Sequence, residues 1–204
     1  MLPNGAGPFR ARGKGTQGLR ACIQLAPLGV STDMHPTRFV LISRWRLHCA
    51  PSLAWDLLTH LEGWPQWWPH VRHVRMLRRA APGETGTHTE LTWRTPLGYA
   101  IRIDALNTRT ERFPDGHGEI EGISRGDLQG HGLWLIEPVG EHAVDLTYRY
   151  QVELTRPWMR RLAPCLSAVF AWSHFTVMRA GAQGMARQLG CKVSELVNWR
   201  GGTL

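Results

Sequence analysis

Residues 143–154 read AVDLTYRYQVEL. Val144, Leu146, Tyr148, Tyr150, Val152 and Leu154 share one parity, and Asp145, Thr147, Arg149, Gln151 and Glu153 share the other. Successive side chains of a strand point to opposite faces, so this alternation predicts a strand with one dry face and one wet face. Just downstream the period changes. From about Trp158 to Leu189 the residues Leu162, Leu166, Phe170, His174, Met178, Met185 and Leu189 trace one broad stripe at helical spacing. At about 1.5 Å per residue such a helix is over roughly 40 Å long, enough to cross a whole sheet.

Upstream, the two-residue period holds back to about residue 70. HVRHVRMLRR (70–79), THTELTWRT (87–95), GYAIRIDAL (98–106), EIEGISRGDL (119–128) and GHGLWLIEP (130–138) precede the strand at 143–154, separated by turn signals such as PDGHG. Thr89, Leu91 and Trp93 fall together, as do Tyr99, Ile101, Ile103 and Ala105, and Trp134 with Ile136. RFVLISRWRLH (38–48) is a further strand. CAPSLAWDLLTH reads as a short helix with Pro51 in its first turn and an end near His60. The predicted order is one strand, two short helices, six strands and one long helix. Six strands joined by tight turns form an antiparallel meander. The fold expected is α+β: a curved antiparallel sheet of about seven strands (β-α-α-β6-α) around a long C-terminal helix, with an internal hydrophobic cavity between them.

The second short helix lies in WDLLTHLEGWPQWWPH (55–70), where Trp64, Trp67 and Trp68 fall within five positions, broken by Pro65 and Pro69. A broken aromatic segment of this kind suits a plug at an open sheet end, with rings facing either the core or a ligand. The chain has 204 residues and ten tryptophans. Such rings either enrich a core or line a pocket, since ligand sites favour aromatic walls with a few polar groups.

Net charge is +8, an excess that serves a solvated face and leaves membrane-surface contact open. The basic run Arg72, Arg75, Arg78 and Arg79 lacks exposed aromatics interleaved with it, so no nucleic-acid partner is expected. Cys22, Cys49, Cys165 and Cys191 match neither a zinc module nor a disulfide framework, and a reducing, cytoplasmic setting is the default. Residues 1–33, rich in glycine and proline, are expected to be a disordered tail or to follow a start codon called too early. The domain is expected to span 34–192, with 193–204 as a C-terminal tail.

The stretches APSLAWDLLTHLEGWPQWWPHV, GDLQGHGLWLIEP, TRPWMRRLAP and FAWSHFTVMRAGAQGM carry a resemblance over about 38–190. They resemble the START-like superfamily called SRPBCC, and within it the bacterial polyketide cyclase/dehydrase-like proteins. Members commonly read like W-N-H-D-x-V-M in the last stretch. Trp172, His174, Val177 and Met178 match that pattern, and Ser173 and Phe175 depart from it. The resemblance implies a helix-grip fold and a range of roles: lipid carriers, aromatic polyketide cyclases and quinone binders.

The residues themselves nominate a pocket rather than a reaction centre. The ligand-facing candidates are Trp67, Trp93, Tyr99, Trp134, Tyr148, Tyr150, Phe170, His174 and Met178, all on inward parity, on the inner helical stripe or in the plug. His174 is the one candidate for catalysis, as a general base or a hydrogen-bonding anchor; the alternative is a core histidine satisfied by a carbonyl or a tyrosine. No H-E-x-x-H and no clustered carboxylates occur, so neither metal nor cofactor is expected. The expected function is the binding of a small hydrophobic molecule (a lipid, quinone or aromatic polyketide-like compound). A cyclase or dehydratase acting in the same cavity is the alternative.

Overall fold

A computed structural model describes residues 38–81, 85–155 and 157–201, with the side chains of 38, 159, 160 and 162–166 left aside. The chain runs β1 (Arg38–Leu47), α1 (Pro51–Thr59), a 3-10 turn (Leu61–Gly63), α2 (Trp64–Trp67), β2 (Val71–Arg78), β3 (His88–Arg94), β4 (Ala100–Arg112), β5 (Gly118–Gly126), β6 (Leu128–Pro138), β7 (Val144–Leu154), α3 (Pro157–Leu189) and β8 (Val193–Arg200). The stretch 1–33, expected to be a tail, lies outside the described residues.

The strands form one antiparallel sheet in the order β2-β3-β4-β5-β6-β7-β1-β8. The meander is therefore closed off by β1, which pairs with β7 through Leu41↔Tyr150, Trp45↔Leu146 and Leu47↔Val144. The expected antiparallel sheet of about seven strands is present, with eight strands among the described residues. One expectation is corrected. Residues 193–200 are not a tail but the edge strand β8, paired to β1 through Ser43↔Asn198 and Trp45↔Leu196, so the domain continues past 192. The sequence VSELVNWR hides this because the register shifts between Arg46 and Leu47. An edge strand also buries neither face fully, which blurs its alternation.

The outer face departs from simple wetness at Ile42, Thr147 and, with a charge, at Asp145. Asp145 is buried although its parity faces away from the core. The cross-strand pair Arg46↔Asp145 explains this. Arg46 donates from Nε and Nη2 to the two carboxylate oxygens, each at 2.7 Å, and Arg44 donates to the same carboxylate. A planar guanidinium matches a carboxylate with two parallel bonds. Arg46 and then Arg44 hold the Asp145 carboxyl below its usual range, against the opposing effect of burial.

On the inner side, α1 enters with Pro51 in its first turn and buries Ala54 and Leu58. The chain then turns through Leu61–Gly63, and α2 delivers the tryptophans. Trp64 Nε1 donates to the Leu58 carbonyl at 3.1 Å. Trp68 Nε1 donates to the Val177 carbonyl of α3 at 2.8 Å. The Trp68 ring sits edge-on to Trp93 at 5.0 Å and to Trp45 at 5.9 Å, and stacks on Trp67 at 5.2 Å. Helix and plug approach so closely because α3 carries two glycines there. A Cβ at Gly181 would collide with the Trp68 ring, and one at Gly184 with the Trp67 carbonyl.

This close approach gives a test of sign. In an exposed helix, Gly→Ala stabilises by up to about 1 kcal/mol. Gly184→Ala is expected to destabilise this domain by about 2–3 kcal/mol, because a backbone carbonyl cannot rotate out of the way. Urea denaturation of the variant and the parent checks it; an unchanged or raised midpoint would remove the plug–helix contact as a constraint.

Candidate functional site

Away from the tryptophan plug, the concave face of the sheet and α3 do not meet, and a cavity of about 260 Å³ lies between them. Ligand pockets run roughly 300–1,000 Å³, so this is a compact one. Its walls come from inward positions of consecutive strands: Leu91 and Trp93 of β3, Ile101 and Ile103 of β4, Ile120 of β5, Trp134 of β6, and Tyr148, Tyr150 and Val152 of β7. Phe170, His174, Val177 and Met178 of α3 form the opposite side. Trp64 and Trp68 close the plug end.

Small residues make the hollow. Gly122 of β5 pairs directly with Gly132 of β6, so two neighbouring inward positions carry no side chain. The space over Gly132 is used by Tyr148, whose hydroxyl would lie 2.6 Å from a Cβ placed there. At the end opposite the plug, Phe170 meets Phe39 with ring centres 6.2 Å apart, and Tyr99 meets Trp158 edge-on at 5.8 Å. Trp158 is 43% exposed and Leu97, in the turn before Tyr99, is 55% exposed. Apolar side chains thus reach solvent at that end.

Along one side of the cavity runs a ladder of near-parallel rings. Trp134 stacks on Tyr148 at 4.6 Å, and Tyr148 on Tyr150 at 5.8 Å. The His174 ring lies across from both, 6.3 Å from Tyr148 and 6.1 Å from Tyr150, within about 22° of parallel. The Tyr150 hydroxyl and the Ser124 hydroxyl are hydrogen-bonded at 2.8 Å. Burial pushes Tyr150 up to about 12, partly countered by that bond. Burial and then the neighbouring Tyr150 hold Tyr148 well above the usual phenol range. Burial pushes His174 down to about 4, so its imidazole is neutral at pH 7. His174 Nε2 is sealed from solvent and has no hydrogen-bond partner among the described residues.

Of the residues nominated from sequence, Trp93, Tyr99, Trp134, Tyr148, Tyr150, Phe170, His174 and Met178 all line this cavity. Trp67 does not. It packs in the core behind the wall, beside Trp64 and Trp68. Four residues of α2 leave the helical period too short to choose a face, but the i, i+4 spacing of Trp64 and Trp68 is the signal that marks the two lining rings. Ser124 was missed, because a serine in the glycine-rich strand EIEGISRG gives no sign of its tyrosine partner across the sheet.

Chemically, the site can orient a ligand oxygen or ring through neutral donors and acceptors. Glu121 is among the lining residues, and its carboxylate is engaged with His131 Nε2 at 2.6 Å. Among the described residues no three histidines, cysteines or carboxylates group to hold a metal. Among the same residues no helix is long and apolar enough to cross a membrane.

Solved structures repeat this architecture. A START superfamily protein from Mycobacterium smegmatis aligns with a TM-score of 0.56 at 17% identity, over 74% of this chain and 99% of its own. Human STARD10 aligns with a TM-score of 0.62 at 15% identity, over 76% of this chain and 66% of its own. The Zhui aromatase/cyclase from Streptomyces sp. R1128 aligns with a TM-score of 0.56 at 13% identity, over 74% and 95%. At such identities the likeness shows the fold alone. No curated protein matches the chain in sequence. The family model for polyketide cyclase / dehydrase and lipid transport proteins matches residues 47–164, more than half of the chain, from the end of β1 into α3. With its helix-gripping sheet and enclosed apolar cavity, the chain belongs to that family.

Proposed function

We propose that the chain binds a small, uncharged and largely hydrophobic molecule, of the lipid, quinone or aromatic polyketide-like kind, inside the cavity. The observation that carries this reading is the ladder Trp134–Tyr148–Tyr150 facing His174 within apolar walls. Flat rings and neutral hydrogen-bonding groups suit a conjugated or cyclic ligand bearing a carbonyl or hydroxyl oxygen. The family's span from lipid transport to cyclisation is consistent with it.

Magnitudes favour a polar anchor. A ligand burying on the order of 300 Å² gains roughly 7 kcal/mol at ~25 cal/mol per Å², before the costs of ordering. Micromolar affinity needs about 8 kcal/mol. Apolar burial alone falls short, and one or two hydrogen bonds of about 0.5–1.5 kcal/mol each bring the sum near that level. An acid/base pair converging on a reacting carbon would be needed for cyclase chemistry. His174 and Tyr148 are the groups available for it, and neither is paired with a carboxylate in the described contacts. Binding is thus the better supported of the two readings.

Native mass spectrometry of the gently purified protein tests the reading directly. A retained neutral hydrophobic molecule, recovered chemically unchanged, supports binding; conversion of that molecule on incubation would move the reading to the cyclase. Ala105→Phe places a ring in the cavity wall. It is expected to abolish uptake of an apolar fluorophore while leaving the melting temperature within a few degrees of the parent. Equal uptake by this variant would put the binding site elsewhere.

His174→Phe separates anchor from core. Intrinsic affinity for the retained ligand is expected to fall about tenfold, the loss of roughly one hydrogen bond. Its pH dependence carries a second sign. Unfolded histidine titrates near ~6.5, whereas His174 in the fold titrates at about 4. Between these values the unfolded chain takes up a proton that the folded one refuses, so stability falls as pH drops through that window. The parent is expected to lose more stability than His174→Phe between pH 7 and the low end of that window, as read by denaturant titration at each pH. Parallel losses would mean that His174 is not held neutral.

A further inference from the structure

At the plug end of the domain two cysteines face each other across the last rung of the sheet. The β1–β8 ladder ends at Leu47↔Val193. One residue further the pairing continues, with the His48 amide donating to the Lys192 carbonyl at 2.9 Å. The next antiparallel step sets Cys49 opposite Cys191. Both pack against the same hydrophobic cluster, Cys49 within it at 8% exposed and Cys191 half-buried at its margin. Cys191 is fixed there by the end of α3. Its amide donates to the Ala186 carbonyl at 2.9 Å, and Gly190 takes φ +64° to turn the chain out of the helix. Residues opposite one another in an antiparallel pair have Cα atoms about 4.5–5.5 Å apart, inside the roughly 4.4–6.8 Å span that a disulfide bridges.

We propose that Cys49 and Cys191 form a thiol–disulfide exchange site that takes low-molecular-weight disulfides of the glutathione type and closes into a cross-strand disulfide. Exposure sets the order of events. The Cys191 thiolate attacks one sulfur of the small disulfide, forming a mixed disulfide and releasing one thiolate. Cys49 then gives up its proton to solvent and attacks the Cys191 sulfur, forming the internal bond and expelling the second small thiol. Two protein thiols are oxidised and one external disulfide is reduced to two thiols, so the electrons balance. The second step is the slower one. Burial is the main cause that pushes the Cys49 thiol up, to about 12 in the reduced pair; it persists once Cys191 is capped, and the thiolate is the attacking form. The bond would tie the chain two residues before α1 to the chain two residues after α3, locking the plug to the helix. The end near Tyr99 and Trp158 would stay unconstrained.

The test is incubation of the full chain with oxidised glutathione, followed by non-reducing peptide mass mapping. The expected product is a cross-link between the peptides holding Cys49 and Cys191, with loss of two hydrogens and full reversal by dithiothreitol. The oxidised protein is expected to melt at a higher temperature than the reduced one, a difference that Cys191→Ser abolishes. A Cys22→Ser/Cys165→Ser background is expected to give the same cross-link. A mixed disulfide on Cys191 that persists without closing, a bridge through Cys22 or Cys165, or no reaction at either cysteine would overturn the proposal.

Discussion

Everything in this fold that concerns the cavity depends on how closely α3 can approach the segment after α1. That approach is set by Gly181 and Gly184, which leave the helix surface bare where Trp68 and the Trp67 carbonyl press against it. The bond from Trp68 Nε1 to the Val177 carbonyl then fixes the ring along the helix axis. A helix carbonyl already accepts from the amide four residues on, so an indole donor can reach it only when nothing bulky stands beside it. With Trp68 in place, Trp45, Trp64, Trp93 and Trp134 fall around it in edge-on and tilted contacts. Such ring pairs are worth about 0.5–1.5 kcal/mol each beyond the area that they bury. One end of the domain is thereby packed solid.

The other end is hollow for the complementary reason. A long helix is nearly straight, whereas a sheet of eight strands twists and curls. Contact made at the plug end therefore cannot be kept along the whole of α3. The gap that opens is widened by Gly122 and Gly132, which face it without side chains. It is partly filled by Tyr148 leaning over Gly132. The same glycines that carve the space also place a phenol inside it, so the shape and the polarity of the cavity have one cause.

Much of this was legible in the sequence. The strict alternation of 143–154 assigned Tyr148 and Tyr150 to the cavity side, and the helical stripe placed Phe170, His174 and Met178 opposite them, because period alone decides facing in long regular elements. Four features escaped for physical reasons. Trp67 belongs to a helix of four residues, too short for a period to choose among adjacent rings. The strand Val193–Arg200 is an edge with a register shift, so its pattern is mixed and it reads as a tail. Asp145 has outward parity and is buried all the same, because Arg44 and Arg46 reach it from the neighbouring strand. That pairing is known only once the β1–β7 register is fixed. The hydrogen bond from Ser124 to Tyr150 likewise spans strands that are not neighbours in the sheet.

The hollow also bears on stability. A concave apolar wall that does not meet the helix forgoes packing contacts that a filled core would make, and the tryptophan cluster and the Asp145 ion pairs are the dense interactions that offset this loss. Buried polar groups add to the cost: an unpaired imidazole nitrogen such as His174 Nε2 is worth roughly 1–3 kcal/mol against the fold. A molecule that fills the space and hydrogen-bonds to this group removes both penalties at once. Binding and folding are therefore linked in this architecture. On the proposed reading, occupancy would raise stability by an amount that grows with ligand concentration over Kd, and the packed end would keep the walls in place.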